Sequence, residues 1–361
     1  MAVPQFHRLT IRDVRPETAD AISVAFDVPP ELRDAYRFRQ GQFLTLRETI
    51  DGEDLRRSYS VCVGVPEYEA HGELRVAIKR VAGGRFSNWA NESLAPGRAI
   101  DVMTPDGRFT TPLDPARARR YVGFAGGSGI TPMLSLVKTI LSAEPRSGFT
   151  LVYGNRTVGS IMFLETLEAL KNTYMDRLRL VHVLSDEPQE VDLLSGLLDA
   201  ARCSELMRTV LAGETIDEAF VCGPAPMMDA AEAALAGAGV PRERIHIERF
   251  GTPSPSGAPK VAAAPDGPSA KVVMIVDGKE RHLRVPFEGP AILDAGLAAG
   301  ANLPYACKGG VCCTCRAKVL EGEVRMDKNY TLEPQEVAAG FVLTCQAHPV
   351  SDRVVVSFDE R

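Results

Sequence analysis

Through its first 113 residues the chain sets apolar against polar positions in short runs: Arg8–Val14, Ala21–Val28, Gln42–Arg47, Ser58–Val63, Glu73–Ile78 and Ala99–Met103. Proline and glycine break these runs. Short strands at this spacing predict a small antiparallel β-barrel, interrupted by one helical stretch near Ser87–Leu94. From residue 118 the pattern changes. Strand-like runs at 120–125, 149–154, 178–184, 219–222 and 244–250 alternate with helical stretches at 131–142, 161–172, 192–210 and 225–237. Strands alternating with helices of that length predict a parallel, doubly wound α/β sheet.

Residues 251–270, GTPSPSGAPKVAAAPDGPSA, hold no aromatic residue, and Val261 is their one large apolar residue. Such a stretch buries too little surface to fold and is expected to be a linker. As a flexible coil it would reach roughly 25 Å. About 90 residues follow, enough for a separate domain. They open with two strands joined at Asp277-Gly278, a hairpin signal, followed by a helix near 290–300 and a cysteine-rich loop.

Composition narrows the function. With 41 Lys+Arg against 47 Asp+Glu the net charge is −6, so no basic field recommends a nucleic acid partner. No apolar run approaches the ~20 residues of a membrane span, and MAVPQFHRLTIRD lacks the apolar core of a secretion signal. A cytoplasmic location is expected. Four of the eight cysteines crowd into positions 307–315, with Cys345 beyond them, whereas a disulfide framework would spread its cysteines through a small secreted chain.

Cys307, Cys312, Cys315 and Cys345 follow the C-x4-C-x2-C…C spacing of plant-type [2Fe–2S] ligation. In Lys308-Gly309-Gly310-Val311 the glycines let backbone N–H groups approach sulfur. A four-cysteine zinc site usually brings two short pairs, and only one is present here. Cys313, between two ligands, is expected to point elsewhere. Gly126-Gly127-Ser128-Gly129-Ile130-Thr131-Pro132 links an apolar strand to a helix, with Thr131 expected as N-cap and Pro132 as the first helical residue. A glycine-rich turn opening a helix suits a pyrophosphate, and equally a plain tight turn. Arg57-Ser58-Tyr59-Ser60 offers a phosphate fork, an aromatic face and a hydroxyl, or else an edge charge and barrel packing. Cys222 and Gly223 close a strand, where ligands sit in open parallel sheets, although Cys222 also suits a core position.

Taken together, RSYS at 57–60, GGRFSN at 83–88, GGSGITP at 126–132, VCGP at 221–224 and HIERF at 246–250 resemble the ferredoxin–NADP reductase superfamily, in its order. The remainder resembles a plant-type ferredoxin fused behind it. The resemblance implies an FAD-binding barrel over 1–113, an α/β NAD(P)-binding domain over 114–250 and an α+β, β-grasp [2Fe–2S] domain over 271–361. It implies that Arg57 holds the flavin diphosphate, Tyr59 stacks on the isoalloxazine and Ser60 sits at flavin N5. Gly84, Arg85, Phe86 and Ser87 match a second diphosphate segment that favours FAD over FMN. Gly127, Ser128 and Gly129 would cradle the nicotinamide dinucleotide. Cys222 would lie near nicotinamide C4, Glu248 near the hydride path, and Phe250 over the flavin. AIKRVAGGRFSNWAN and GFVLTCQAHPVSDRVVVSFD resemble, more narrowly, the reductase components of phenylacetyl-CoA epoxidases. Reductases of Rieske dioxygenases and steroid hydroxylases share the same kinds of domain. The implied activity is electron transfer from NAD(P)H through FAD and the cluster to the subunits of an oxygenase.

One departure bears on the nucleotide. NADPH-using relatives often carry Ser-Arg after the third strand of the nicotinamide domain, and this chain has Ser185-Asp186. Losing a charge-assisted bond to a 2′-phosphate costs ~1.5–3 kcal/mol, whereas an acid can accept from a ribose hydroxyl. The departure points toward NADH. Arg156 is left as either a phosphate partner or a surface charge. The competing reading from another class is a non-enzymatic interaction subunit with structural zinc.

Overall fold

The computed structural model describes residues 4–251 and 267–360. The chain forms two compact units, one holding His7–Leu55 with Tyr59–Glu248 and the other including the chain from Arg249 onward.

In the first unit, β1 (Phe6–Thr18), β2 (Ala21–Asp27), β3 (Phe43–Ile50), β4 (Glu53–Ser60), β5 (Leu74–Lys79) and β6 (Ala99–Met103) form a six-stranded sheet ordered β4-β3-β6-β1-β2-β5. Beyond β4, Val61 bridges to Val76 and the Cys62 N–H donates to the Arg75 carbonyl, closing the sheet on itself. Inward residues such as Leu9, Phe26, Leu44 and Val76 fill the barrel. α1 (Val65–His71) and α2 (Arg85–Ser93) flank β5. The strand expected over Ser58–Val63 instead starts at Glu53. The polar run EDLRRS pairs because the Asp51-Gly52 turn, both residues at positive φ, folds it back on β3.

The rest of this unit builds a parallel sheet from β7 (Arg120–Gly126), β8 (Gly148–Asn155), β9 (Leu178–Leu184), β10 (Glu218–Cys222) and β11 (Ile245–Glu248), ordered β11-β10-β7-β8-β9. The order reverses between β7 and β10, and ligands bind beyond the carboxyl ends of strands at such a switch point. α3 (Ile130–Ala143), α4 (Leu164–Thr173), α5 (Ala200–Thr209) and α6 (Ala225–Gly237) connect the strands. α3 is apolar almost all round and almost wholly buried, so it packs on the sheet on one side and on Cys62, Ala77 and Phe109 of the barrel half on the other. One expectation needs correcting here. A 3-10 turn at Gly127–Gly129 runs directly into α3, so Gly129, not Thr131, occupies the N-cap and Pro132 is the third helical residue. The helices expected near 192–210 are a 3-10 turn, Asp192–Leu194, and α5.

In the second unit, β12 (Ser269–Val276), β13 (Lys279–Pro286), β14 (Arg316–Glu321), β15 (Val324–Met326), β16 (Phe341–Leu343), β17 (Ala347–Pro349) and β18 (Arg353–Ser357) carry a five-stranded sheet, β13-β12-β18-β14-β16, and a β15-β17 pair. β12 runs parallel to β18 and the other pairs are antiparallel. α7 (Ile292–Ala298) buries Ile292 and Leu293 in this domain's core, and α8 (Pro334–Ala338) is short. At the Asp277-Gly278 hairpin both residues have positive φ, and the Asp359 carboxylate accepts both N–H groups at 2.8 Å. Of the expected linker, residues 252–266 lie outside the described residues, and Ser269 and Ala270 already belong to β12. Among the described residues no helix is long and apolar enough to cross a membrane.

Candidate functional site

The sheet register assembles the first site. In β10, Cys222 pairs with Ala125 of β7 on one side and Glu248 of β11 on the other. Ser60, buried at the end of β4, donates its hydroxyl to Glu248 Oε2 at 3.2 Å, so residues 188 positions apart meet beside Cys222. Burial pushes the Glu248 carboxyl up to about 8, against the pull of the Ser60 hydrogen bond. Burial and the neighbouring Glu248 hold the Cys222 thiol far above its ordinary range, so it is a neutral thiol and not a nucleophile. Cys222 is also fully buried among apolar residues, the core position that the sequence allowed for it.

The glycine turn is shaped by contact. A Cβ on Gly129 would lie 2.0 Å from the Cys222 carbonyl oxygen, so only glycine lets the start of α3 come against the end of β10. Gly127, at φ +51°, faces open space, and its carbonyl accepts from the buried Tyr153 hydroxyl at 2.9 Å. Thr131, also buried, donates its hydroxyl to the Ser128 carbonyl at 3.0 Å. A cleft of about 650 Å³ opens here, lined by Gly126, Gly127, Asn155, Arg156, Pro224 and Met227 among others, a volume suited to a cofactor-sized ligand. At its far side the ends of β8 and β9 stay paired. The Ser185 and Asp186 N–H groups donate to the Asn155 and Arg156 carbonyls, while the Ser185 hydroxyl binds its neighbour's carboxylate at 2.7 Å.

On the barrel, Tyr59 lies half-buried against Phe86, ring centroids 6.0 Å apart. Gly84 precedes α2, whose first N–H groups, on Arg85, Phe86 and Ser87, have no partners within the helix. Such a terminus is a ready phosphate cradle. Ser87 is less available than expected, since its hydroxyl accepts the Val81 N–H at 3.1 Å and shapes the preceding turn. The Arg85 guanidinium is engaged by Glu53 at 2.6 Å and the Ile50 carbonyl at 3.1 Å. Arg57 is exposed, with Nη1 on the Arg56 carbonyl at 2.7 Å. Phe250 is nearly half exposed.

The second site is the cysteine loop. Cys307 meets both Cys312 and Cys345, and Cys345 also meets Cys315, so the thiols form a chain, 312–307–345–315. Hydrogen bonds from Cys312 and Cys345, then the Gly309 and Val311 N–H groups, pull Cys307 strongly toward the thiolate. The Gly309 N–H stands 3.3 Å from its sulfur. Lys308, Gly310 and Cys313 all take positive φ to wrap the loop. Cys313 points away into the domain core, 3.3 Å from the Thr331 hydroxyl. Thr344 fixes the fourth thiol, since its N–H and hydroxyl both donate to the Cys315 carbonyl, at 3.1 and 2.8 Å. A thiol chain suits two irons side by side.

Comparison with known proteins agrees with this architecture. Residues 9–111 match the oxidoreductase FAD-binding domain family, 124–233 the oxidoreductase NAD-binding domain family, and 274–350 the 2Fe-2S iron-sulfur cluster binding domain family. The chain belongs to the ferredoxin–NADP reductase superfamily, fused to a 2Fe-2S domain. The reductase is 48% identical to a subunit of the 1,2-phenylacetyl-CoA epoxidase of Escherichia coli, over 99% of this chain and 98% of that one. It is 37% identical to the ferredoxin reductase component of 3-ketosteroid-9-alpha-monooxygenase from Rhodococcus rhodochrous, over 97% and 96%. Among solved structures it superposes on phthalate dioxygenase reductase with a TM-score of 0.59 at 23% identity, covering 98% of both chains. It is thus an oxidoreductase with FAD, NAD and 2Fe-2S domains, of the kind that serves as the reductase component of multicomponent oxygenases.

Sequence reasoning missed three residues of the reductase's sites. Tyr153 ties β8 to the glycine turn, and Gln346, bonded to the Lys308 carbonyl at 3.0 Å, braces the cysteine loop. Lys79 lines the cleft beside the glycine turn. Lys79 and Gln346 lie in stretches that carry the resemblance, but no local pattern singles out any of the three, because each acts through a long-range contact.

Proposed function

We propose that the reductase accepts hydride from NADH and delivers electrons to the oxygenase subunits of a phenylacetyl-CoA epoxidase. The meeting of Ser60, Glu248 and Cys222 at the switch point carries this reading. It joins a barrel hydroxyl, a proton-holding carboxyl and a neutral thiol where a nicotinamide ring and a flavin edge would face each other. When bound, FAD would convert a two-electron donation into single electrons and the [2Fe–2S] cluster would pass these on.

The chain's own residues do the placing. Tyr59 offers its ring to the isoalloxazine, Arg57 and the α2 terminus at Gly84–Ser87 hold the diphosphate, and Phe250 covers the flavin. Gly127, Ser128, Gly129 and Thr131 shape the turn that receives the nucleotide, with Cys222 and Gly223 at nicotinamide C4. Glu248 keeps a proton near neutral pH and accepts the Ser60 hydroxyl, which fixes that hydroxyl at flavin N5. Cys307, Cys312, Cys315 and Cys345 hold the cluster. Residues 1–113, 114–250 and 271–361 are the corresponding domains. On this reading the protein lies in the cytoplasm, a reducing compartment that keeps cluster-ligating cysteines out of disulfides. The 48% identity to the epoxidase component, against 37% to a steroid monooxygenase reductase, supports the choice of oxygenase.

Reconstitution of the purified holoprotein with each oxygenase tests it. Turnover is expected with the phenylacetyl-CoA epoxidase oxygenase, and turnover with the steroid hydroxylase alone would overturn the assignment. Cys312→Ser is expected to stop reduction of one-electron protein acceptors while NADH still bleaches the flavin. Surviving acceptor reduction would mean that electrons leave elsewhere.

A further inference from the structure

The turn between β1 and β2 ends in Asp20, and the pairing of Ala21 with Lys79 sets Asp20 beside the end of β5. Asp20 is fixed there. Its carboxylate accepts the Thr18 hydroxyl at 2.7 Å and stands 3.5 Å from Lys79 Nζ. The second carboxylate oxygen lies 3.6 Å from Nη2 of Arg156, which follows β8. Lys79 and Arg156 both line the nucleotide cleft. One carboxylate from the barrel half therefore holds two cations of the cleft.

The direction in which it holds Arg156 matters. Arg156 belongs by its backbone to the β8–β9 end of the cleft, where its carbonyl accepts the Asp186 N–H at 2.8 Å. That end already bears the Asp186 carboxylate, braced by Ser185. The guanidinium is paired with Asp20 and so offers that end no positive charge. A ribose 2′-hydroxyl can donate to Asp186, whereas a 2′-phosphate would meet a carboxylate without a compensating cation.

We propose that Asp20 is a positioning residue that sets nucleotide preference, holding Arg156 off the ribose end and so favouring NADH over NADPH. The proposal rests on the reading of the cleft as the nicotinamide nucleotide site. Removing the acid in Asp20→Asn frees Arg156 to turn toward a 2′-phosphate.

The test is kcat/KM for NADPH and NADH with the FAD- and iron–sulfur-loaded protein and a small one-electron oxidant. The NADPH/NADH ratio is expected to favour NADH in the wild type. In Asp20→Asn it should rise by up to about fivefold, the factor equivalent to the ~1 kcal/mol ceiling of an exposed ion pair. The change should come through KM for NADPH. In an Arg156→Ala background the same substitution should leave the ratio unmoved, and Asp20→Glu should keep it near wild type. Equal losses with both nucleotides, or the same rise without Arg156, would overturn the proposal. So would a wild type that prefers NADPH. Oxidation of neither nucleotide by the wild type would defeat the cleft assignment itself.

Discussion

Gly129→Ala probes the contact on which the nicotinamide half is built. The added methyl would sit 2.0 Å from the Cys222 carbonyl oxygen, 2.5 Å from its carbon and 3.0 Å from the Gly223 nitrogen. A carbon and an oxygen rest at no less than ~3.3 Å, so α3 and β10 must part by about 1.3 Å. All three obstacles are backbone atoms, and no rotamer change relieves them. Overpacking of this kind costs about 1–3 kcal/mol, and a backbone collision belongs at the upper end. At 2–4 °C per kcal/mol, the thermal midpoint of the loaded protein should fall by roughly 6–12 °C. Cys222 lies on the displaced strand, and a misplacement of ~1 Å in a reacting geometry costs about a hundredfold. NADH oxidation with a small oxidant should therefore lose about two orders of magnitude in kcat/KM. Gly159→Ala is the control, because its Cβ would meet nothing closer than 4.0 Å and its φ is ordinary. A Gly129→Ala protein with an unshifted midpoint and wild-type kcat/KM would refute the close-approach argument.

Glu248→Gln should remove a break near pH 8 from the pH profile of flavin reduction, since the wild-type carboxyl is held up to about 8 against an ordinary value of 4.5. The sign for stability follows. The folded protein keeps a proton that the unfolded chain releases above pH 4.5, so the wild type loses stability as pH rises from 4.5 to 8. The midpoint of Glu248→Gln relative to wild type, followed by thermal melts, should accordingly climb across that window. Cys313→Ala should retain full iron and sulfide on analysis, while Cys315→Ser should not, because Cys313 faces the core and Thr331. Tyr153→Phe deletes the bond to the Gly127 carbonyl and should weaken NADH binding in KM with little change in kcat. Its stability cost, near 1 kcal/mol, is readable by urea titration.

Much of the fold was legible because period-two and helical runs coincide with burial. Ala99–Met103, Leu178–Leu184 and the helix at 225–237 fall where the sequence places them. β4 was misplaced since its first residues, Glu53 and Asp54, are polar and exposed, and only the preceding turn makes them a strand. α1 went unnoticed because seven residues beginning Val65-Pro66 carry too little periodicity. The site motifs were visible as turns and cysteine spacings. Their meeting was not. Ser60 reaches Glu248 through barrel closure and sheet register, and Asp20 reaches Arg156 across two elements that no local pattern connects.

The bond from Thr344 to the Cys315 carbonyl has a consequence for biogenesis. Three of the thiols emerge from the ribosome within nine positions, but the fourth comes thirty residues later and is brought home only when β16 docks on β14. A nascent chain thus presents an incomplete claw until Cys345 has been synthesised. On the proposed ligand set, cluster assembly waits for that residue, and truncations before Cys345 should release a domain that cannot be loaded with iron and sulfide.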